Sequence, residues 1–303
     1  MKAFIFPGQG SQFSGMGFDL YEKNEKAKSL FQTANDILNF DITKIMFKGS
    51  EEDLKQTNVT QPAIFIHSTI LAKCINDFNP DMVAGHSLGE FSALVAANAL
   101  SFEDGLTLVM KRAELMHIAC QEHNSTMAAI IGLDTQTINR VCEENDGIVV
   151  PANYNSPGQI VISGNQKSVE NACSTLSQLG AKRALILPVA GAFHSPLMQG
   201  AEKELEEAIN KIKFNKPICP IYQNVCAKPI LIENELKQNL IKQLTAPVKW
   251  QQSIEQMIKE GATEFFELGP GNVLTGLNKR INRRIPSNKV NIEFISNNLH
   301  TNL

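Results

Sequence analysis

Residues 81–89, Asp-Met-Val-Ala-Gly-His-Ser-Leu-Gly, constrain this chain more than any other stretch. A short apolar run, Met82-Val83-Ala84, stops at Gly85, and a small-residue apolar segment from Phe91 to Leu100 begins just after Gly89. The pattern predicts strand, tight turn, helix. Its turn carries Gly-x-Ser-x-Gly, the elbow in which a serine is held at a strained strand-to-helix turn with its hydroxyl exposed. Gly85 and Gly89, lacking Cβ atoms, let the two backbones approach each other. The Leu88 N–H at the helix start is placed to face a developing oxyanion. A bland Gly/Ser turn is the alternative, and the flanking strand and helix weigh against it.

At 303 residues the chain can bury a large core, as two units or as one large α/β domain. An apolar content of 43% and a charged content of 19% are those of an ordinary globular protein. The formal net charge of −3 argues against a nucleic-acid binder, which needs a basic excess. Met1–Phe6 turns polar at once with Gly8-Gln9-Gly10, so no secretory segment fits there, and no apolar run is long enough for a bilayer. The expectation is a cytoplasmic protein. The cysteines at 74, 120, 142, 173, 219 and 226 are scattered without a Cys-x-x-Cys pair, which reads as reduced thiols. His67, His86, His117, His123 and His300 have no metal-ligand spacing with acidic neighbours, so no metal is expected.

Ala3–Phe6 is a short apolar run consistent with a buried strand, and it ends in the glycine-rich Pro7-Gly8-Gln9-Gly10-Ser11-Gln12. That loop lacks the Gly-Lys-Ser/Thr of a phosphate loop and the third glycine of a dinucleotide fingerprint. Helical patterns run over about 19–38 and 61–78, the second feeding the elbow strand through Asn79-Pro80. Alternating strands and helices predict a mostly parallel sheet. The rhythm then changes: strand 127–133, helix 135–144, strands 148–153 and 159–163, helix 166–179, strand 182–189. That order, β-α-β-β-α-β, is a split, ferredoxin-like unit. It predicts an insertion over 125–193 in a larger α/β core formed by 1–124 and 194–303. Beyond it, helices are expected near 196–212 and 250–259, a strand at 264–268 and a short helix after Gly269-Pro270-Gly271, with 212–250 irregular.

A serine hydroxyl needs a base within hydrogen-bond reach. The best candidate is His194, in the small-residue run Gly191-Ala192-Phe193-His194-Ser195-Pro196, where the chain re-enters the core. His86, though adjacent to Ser87, points away at an elbow and reads as scaffolding. No Asp or Glu between Ser87 and His194 plainly suits the orienting acid, and a backbone carbonyl accepting Nδ1–H would serve equally. In the helix expected from 103 to about 122, Leu108, Arg112, Leu115 and Ala119 fall on one apolar row. A guanidinium there needs an anion: a structural partner such as Glu90, or a substrate carboxylate held bidentately. Lys279-Arg280 and Arg283-Arg284 read as a solvated face, with docking of an acidic partner or phosphates as the alternative.

Five segments occurring in order, 6–12 (Phe-Pro-Gly-Gln-Gly-Ser-Gln), 85–90 (Gly-His-Ser-Leu-Gly-Glu), 153–159 (Asn-Tyr-Asn-Ser-Pro-Gly-Gln), 192–195 (Ala-Phe-His-Ser) and 267–271 (Glu-Leu-Gly-Pro-Gly), carry a family resemblance. Together they resemble the malonyl-CoA:acyl carrier protein transacylases of bacterial fatty acid synthesis, over nearly the whole chain from Phe4 to about Arg280. The resemblance implies an α/β-hydrolase-like parallel-sheet core with an inserted ferredoxin-like subdomain. It also implies Ser87 as nucleophile, His194 as base, the Gln9 and Leu88 backbone N–H groups as oxyanion hole, and Arg112 as clamp for the malonyl carboxylate. Gln243 matches the family position whose main-chain carbonyl orients the histidine, so its side chain is expected to matter little. Leu88 after the serine and Phe193 before the histidine accompany malonyl rather than methylmalonyl in related polyketide acyltransferases.

The implied reaction is a double displacement in which malonyl passes from malonyl-CoA to Ser87 and then to the phosphopantetheine thiol of an acyl carrier protein. The implied partners are malonyl-CoA and acyl carrier protein, with no bound cofactor, metal, nucleic acid or membrane, and the enzyme is expected to be a monomer. A free-standing acyltransferase serving a polyketide synthase and a serine thioesterase are the alternatives. A catalytically dead acyl-binding module conflicts with the intact serine, histidine and glycines.

Overall fold

A computed structural model describes residues 1–189 and 191–293. Ala190 and His300 lie outside the described residues. The chain opens with β1 (Lys2–Phe6) and continues through α1 (Phe18–Lys23), α2 (Glu25–Leu38), α3 (Ile42–Lys48), α4 (Glu51–Lys55) and α5 (Thr57–Cys74). β2 (Met82–Gly85), α6 (Gly89–Ala96) and α7 (Phe102–Glu122) follow. The next block is β3 (Ser125–Ile131), α8 (Thr135–Glu143), β4 (Val149–Ser156), β5 (Gln159–Asn165), α9 (Gln166–Gln178) and β6 (Arg183–Ile186). After a 3₁₀ turn at Pro196–Met198 come α10 (Gln199–Lys211), β7 (Ile221–Gln223), β8 (Lys228–Ile230), α11 (Glu233–Lys242), α12 (Trp250–Lys259), β9 (Glu264–Leu268), α13 (Val273–Ile281) and β10 (Ser287–Val290).

Among the described residues the strands form two sheets. The larger has the order β10-β9-β1-β2-β7-β8 and is parallel except for the β7–β8 hairpin. Its central strands are apolar at nearly every position because helices cover both faces. Ala3, Ile5, Met82, Ala84 and Phe265 point to one core, with Trp250 and Ile254 of α12. Phe4, Phe6, Val83, Phe266 and Leu268 point to the other, with α5, α6 and α7. The smaller sheet is antiparallel in the order β4-β5-β3-β6, the strand order of a ferredoxin-like unit, and packs Ile130, Ile160 and Ile162 against α8 and α9. The fold class is therefore α/β: a parallel core sheet with a separate antiparallel one. The segment before α12 ties the smaller sheet to the core: Tyr154 N–H donates to Val248 C=O at 2.9 Å and Val248 N–H donates to Ala152 C=O at 2.8 Å.

Several elements differ from the sequence expectation, each for a local reason. The helix expected over 19–38 is cut at Asn24, which turns extended (φ −143°) and accepts the Ala27 N–H on its side chain as an N-cap. The next expected helix starts earlier, at Thr57, and ends at Cys74, where Ile75 is already extended. The last strand of the small sheet is shorter than 182–189, leaving the edge after Ile186. The stretch 212–250, expected to be irregular, contains β7, β8 and α11. Strands of three residues show no periodicity, so hydrophobic pattern alone does not reveal them. β10 was likewise not expected; it closes the edge of the core sheet beside β9.

Candidate active site

The elbow sits where β2 meets α6. A Cβ on Gly85 would stand 1.9 Å from the Gly89 carbonyl carbon, and one on Gly89 would stand 2.0 Å from the Phe6 carbonyl oxygen. Only glycine allows β1, β2 and α6 to cross this closely. Ser87 itself has φ 52°, a left-handed conformation that costs a non-glycine residue about 1–3 kcal/mol and persists only where neighbours over-determine it. They do so here. The Ser87 N–H donates to Asn224 Oδ1 at 2.7 Å, and the Ser87 C=O accepts from Gln243 Nε2 at 3.0 Å.

His194, also at positive φ (57°), lies 107 residues further on, and its Nε2 is 2.7 Å from Ser87 Oγ. Its Nδ1 is 2.9 Å from the Gln243 main-chain carbonyl. A carbonyl only accepts, so Nδ1 carries the proton and Nε2 is left as acceptor for the serine O–H. Burial pushes the imidazole down to about 3, with the nearby Arg112 cation adding to the fall and the Gln243 carbonyl opposing it. The ring is neutral at physiological pH and can receive a proton. No carboxylate takes part in this pair; the orienting acceptor is a backbone group.

Arg112 comes from α7 and is 1% exposed. Its Nη1 donates to Gln61 Oε1 at 2.6 Å, and its Nη2 donates to Ser87 Oγ at 3.0 Å and to Gln243 Oε1 at 3.4 Å. Among the described residues its Nε is buried without a partner, and its Cζ lies over the Phe91 ring, 5.8 Å from the centroid. Burial lowers its pKa to about 10 while Glu90 raises it, so the guanidinium stays charged at neutral pH. Glu90 is buried too and is pushed up to about 7 by that burial. The cation thus rests mainly on neutral oxygens. A buried guanidinium with a free donor is an arrangement that an incoming anion completes.

These groups converge on a cavity of about 370 Å³ between the parallel sheet and the antiparallel one. Gly8, Gln9, His86, Ser87, Leu88, Arg112, Phe193 and His194 line its reactive end, and Met127, Ala129, Asn153, Asn155, Gln159 and Val161 form the facing wall. Among the described residues, neither the Gln9 nor the Leu88 backbone N–H has a protein acceptor. His86 Nε2 bonds to Asn155 Oδ1 at 2.8 Å, and its ring lies 5.6 Å from that of Trp250. Gln243 lies behind the cavity wall, touching Ser87, Arg112 and His194 from one side.

The sequence from residue 3 to 291 matches the acyl transferase domain family. A malonyl CoA-acyl carrier protein transacylase of Bacillus subtilis is 44% identical over 288 residues, covering 93% of this chain and 91% of the relative. The chain belongs to this transacylase family. Solved structures agree. The acyl-carrier-protein S-malonyltransferase of Bartonella henselae superposes with a TM-score of 0.95 at 38% identity, covering 99% of this chain and 98% of that one. A malonyl-transacylase solved in complex with a type II polyketide synthase acyl-carrier protein gives a TM-score of 0.92 at 38% identity, covering 98% and 99%.

Within this transacylase family member, the residues singled out in the sequence fall at one place. Ser87, His194, Arg112 and Gln243 belong to one hydrogen-bonded cluster, and Gln9 and Leu88 border the same cavity. One expectation changes. The Gln243 side chain is engaged, not idle, bonding the Ser87 carbonyl and Arg112. Gln61 and Asn224 were not anticipated. Gln61 is a fully buried amide on α5, where Thr60, Ser68 and Thr69 are buried as well, so its row does not single it out. Asn224 carries no signal either. Of the basic cluster, Lys279 and Arg280 end α13 on an exposed face, where Arg280 bonds Gln159 at the cavity rim.

Proposed function

We propose that this protein transfers malonyl groups from malonyl-CoA to the phosphopantetheine thiol of an acyl carrier protein, supplying extender units for fatty acid synthesis in the cytoplasm. Membership in the transacylase family supports the reaction and both partners. The observation that carries the assignment of roles is the position of Ser87 Oγ, 2.7 Å from His194 Nε2 and 3.0 Å from Arg112 Nη2.

His194 Nε2 takes the serine proton as Oγ attacks the thioester carbonyl. The oxyanion forms where the free Gln9 and Leu88 N–H groups point, and they hold it without reorganisation. Collapse expels the CoA thiolate, to which His194 returns the proton. The ester then carries its carboxylate three bonds from Oγ, within reach of the guanidinium already touching that oxygen. The carrier thiol gives His194 its proton, attacks the same carbonyl and leaves with the malonyl group as Oγ is reprotonated. Water as acceptor would make the protein a thioesterase, and a cation waiting for a substrate carboxylate speaks for malonyl transfer instead. No helix of the described residues is long and apolar enough to cross a membrane, in keeping with a carrier partner met in solution.

The structural likeness to a transacylase complexed with a polyketide carrier favours a second reading of the acceptor alone. Intact-mass measurement with malonyl-CoA tests the first half-reaction: wild type gains one malonyl group and Ser87→Ala, still folded, gains none. Labelling that survives the substitution removes Ser87 from the mechanism. Discharge onto a fatty acid carrier in preference to a polyketide carrier decides the acceptor.

A further inference from the structure

Asn224 follows β7 in a stretch that carries no motif, yet both polar groups of its side chain reach back to the serine elbow. It is fully buried. Its Oδ1 accepts the Ser87 N–H at 2.7 Å and lies 3.5 Å from Gln243 Nε2. Its Nδ2 donates to the Gly85 carbonyl at 2.6 Å. Its own backbone N–H donates to Glu90 Oε2 at 2.8 Å, while the other oxygen of Glu90 accepts from Gln223 Nε2 at 3.0 Å. One orientation of the amide satisfies these partners, because the oxygen must face N–H donors and the amino group a carbonyl. A single asparagine therefore ties together the last residue of β2, the serine, and the first turn of α6.

We propose that Asn224 is a positioning residue for acyl transfer, holding the strained Ser87 backbone so that Oγ faces His194 Nε2 and the Leu88 N–H faces the oxyanion, with Glu90 anchoring it. This rests on reading Ser87 as the nucleophile. Asn224 fixes the peptide plane entering Ser87, and Gln243 Nε2 fixes the plane leaving it. The second plane sets the direction of the Leu88 N–H. The main-chain carbonyl of the same Gln243 holds His194 through Nδ1. Asn224 and Gln243 thus register nucleophile and base against each other, and misplacement at a reacting centre costs orders of magnitude in rate. Asn224 does not line the cavity, so its effect falls on chemistry and not on binding.

The test is steady-state kinetics of Asn224→Ala with malonyl-CoA and acetyl-CoA, with folding checked by circular dichroism. The expected result is a fall in kcat of about 30- to 100-fold, the scale of a misplaced reacting group. KM should stay within about twofold, and the malonyl-to-acetyl preference should not change, because Arg112 is untouched. A kcat near wild type, a rise in KM alone, or a changed preference would overturn the proposal.

If Asn224→Ala does not fold, Asn224→Asp carries the test, since it keeps the shape. A protonated aspartic acid reproduces the amide, with C=O toward Ser87 N–H and O–H toward the Gly85 carbonyl. A carboxylate sets an oxygen against that carbonyl and a second charge beside Glu90. The ratio of variant to wild-type kcat should therefore rise as pH is lowered from 9 to 6. The other ionisable groups of the site, Glu90, Arg112, His86 and His194, are common to both proteins. A ratio that is flat with pH, or a variant equal to wild type throughout, refutes the positioning role. Failure of the Ser87 reading is seen separately, as wild-type protein that takes no malonyl on Ser87.

Discussion

In the parallel sheet, β1, β2 and β9 are buried on both faces, and backbones approach within distances only glycine allows. In the antiparallel sheet one face packs on α8 and α9 and the other turns to the cavity, and at its edge β6 leaves Leu185 and Ile186 about half exposed, at 50% and 49%. The site divides along this line. Gln9, Ser87 and Leu88 stand just beyond the carboxyl ends of β1 and β2, where open α/β sheets place ligands. The antiparallel sheet contributes wall: Met127, Ala129, Asn153, Asn155 and Val161. His194 follows that sheet in the chain but is held by Gln243, at the end of α11. The rigid sheet carries positions that tolerate no displacement, and the small sheet shapes the space above them.

The largest effect after that at Ser87 is expected at His194, the proposed base. His194→Ala should lower acylation by roughly 10²–10⁴-fold, as for a positioned general base. Its pH dependence is sharper still. The folded pKa lies at about 3, so the neutral, proton-accepting form persists as pH falls through 6.5 and is lost only near the depressed value. The acid limb of kcat/KM for the free enzyme should have its midpoint well below 6.5. A midpoint at the ordinary histidine value would mean that the site is wetter and looser than the buried geometry requires.

Arg112 comes next. Malonyl and acetyl thioesters offer Ser87 the same carbonyl, so discrimination must come from the extra carboxylate. Charge-assisted hydrogen bonds are worth about 1.5–3 kcal/mol each. Arg112→Ala should lower malonyl transfer at least about a hundredfold, which corresponds to roughly 3 kcal/mol. Acetyl transfer should hold or rise, because without a carboxylate Arg112 stays desolvated and depresses the basicity of His194. Arg112→Lys should recover only part, since an ammonium keeps the charge but not the planar fork. Equal losses for both thioesters would make Arg112 structural.

Much of this was legible because it is local. The elbow announces itself by three small residues between an apolar strand and a helix, and the β-α-β-β-α-β block by periodicity and turn residues. Arg112 stands out because a charge on an apolar helical row needs an explanation. The segment 212–250 was opaque for the opposite reason. Its strands are three residues long, Asn224 acquires meaning only through a contact 137 residues away in sequence, and Gln243 was reached only through the family resemblance, its side-chain bond to Ser87 spanning 156 residues. Gln61 is similar: its partner Arg112 is 51 residues distant. A polar side chain whose hydrogen bonds are all long-range has no signature in a single sequence.

Gln243 therefore separates main-chain from side-chain roles. Gln243→Ala keeps the carbonyl that orients His194 but removes the bonds to the Ser87 carbonyl and to Arg112. The Ser87 carbonyl keeps the Glu90 N–H and Arg112 keeps Ser87 Oγ and Gln61, so the cost is that of the lost hydrogen bonds, about 0.5–1.5 kcal/mol each, and not of orphaned groups. We expect kcat to fall about tenfold, corresponding to roughly 1.4 kcal/mol. A variant indistinguishable from wild type would mean that Asn224 and the turn glycines hold the elbow unaided.

The smallest effect belongs to the antiparallel wall and tests the division most directly. Asn155 sits on β4 and bonds His86 Nε2 at 2.8 Å across the cavity, a link from the small sheet to the residue before the nucleophile. Asn155→Ala cuts it. His86 lines the cavity, so water can replace the lost partner, and the net worth of such a hydrogen bond is about 0.5–1.5 kcal/mol. Ser87 keeps its bonds to Asn224, Gln243 and His194, none of which passes through His86. Malonyl transfer should fall no more than about fivefold, about 1 kcal/mol, and mainly through KM, because a wall residue touches bound substrate more than it touches the reacting atoms. A kcat loss as large as that of His194→Ala would place the antiparallel sheet among the parts that set the chemistry, and the difference in tolerance between the two sheets would then not map onto function.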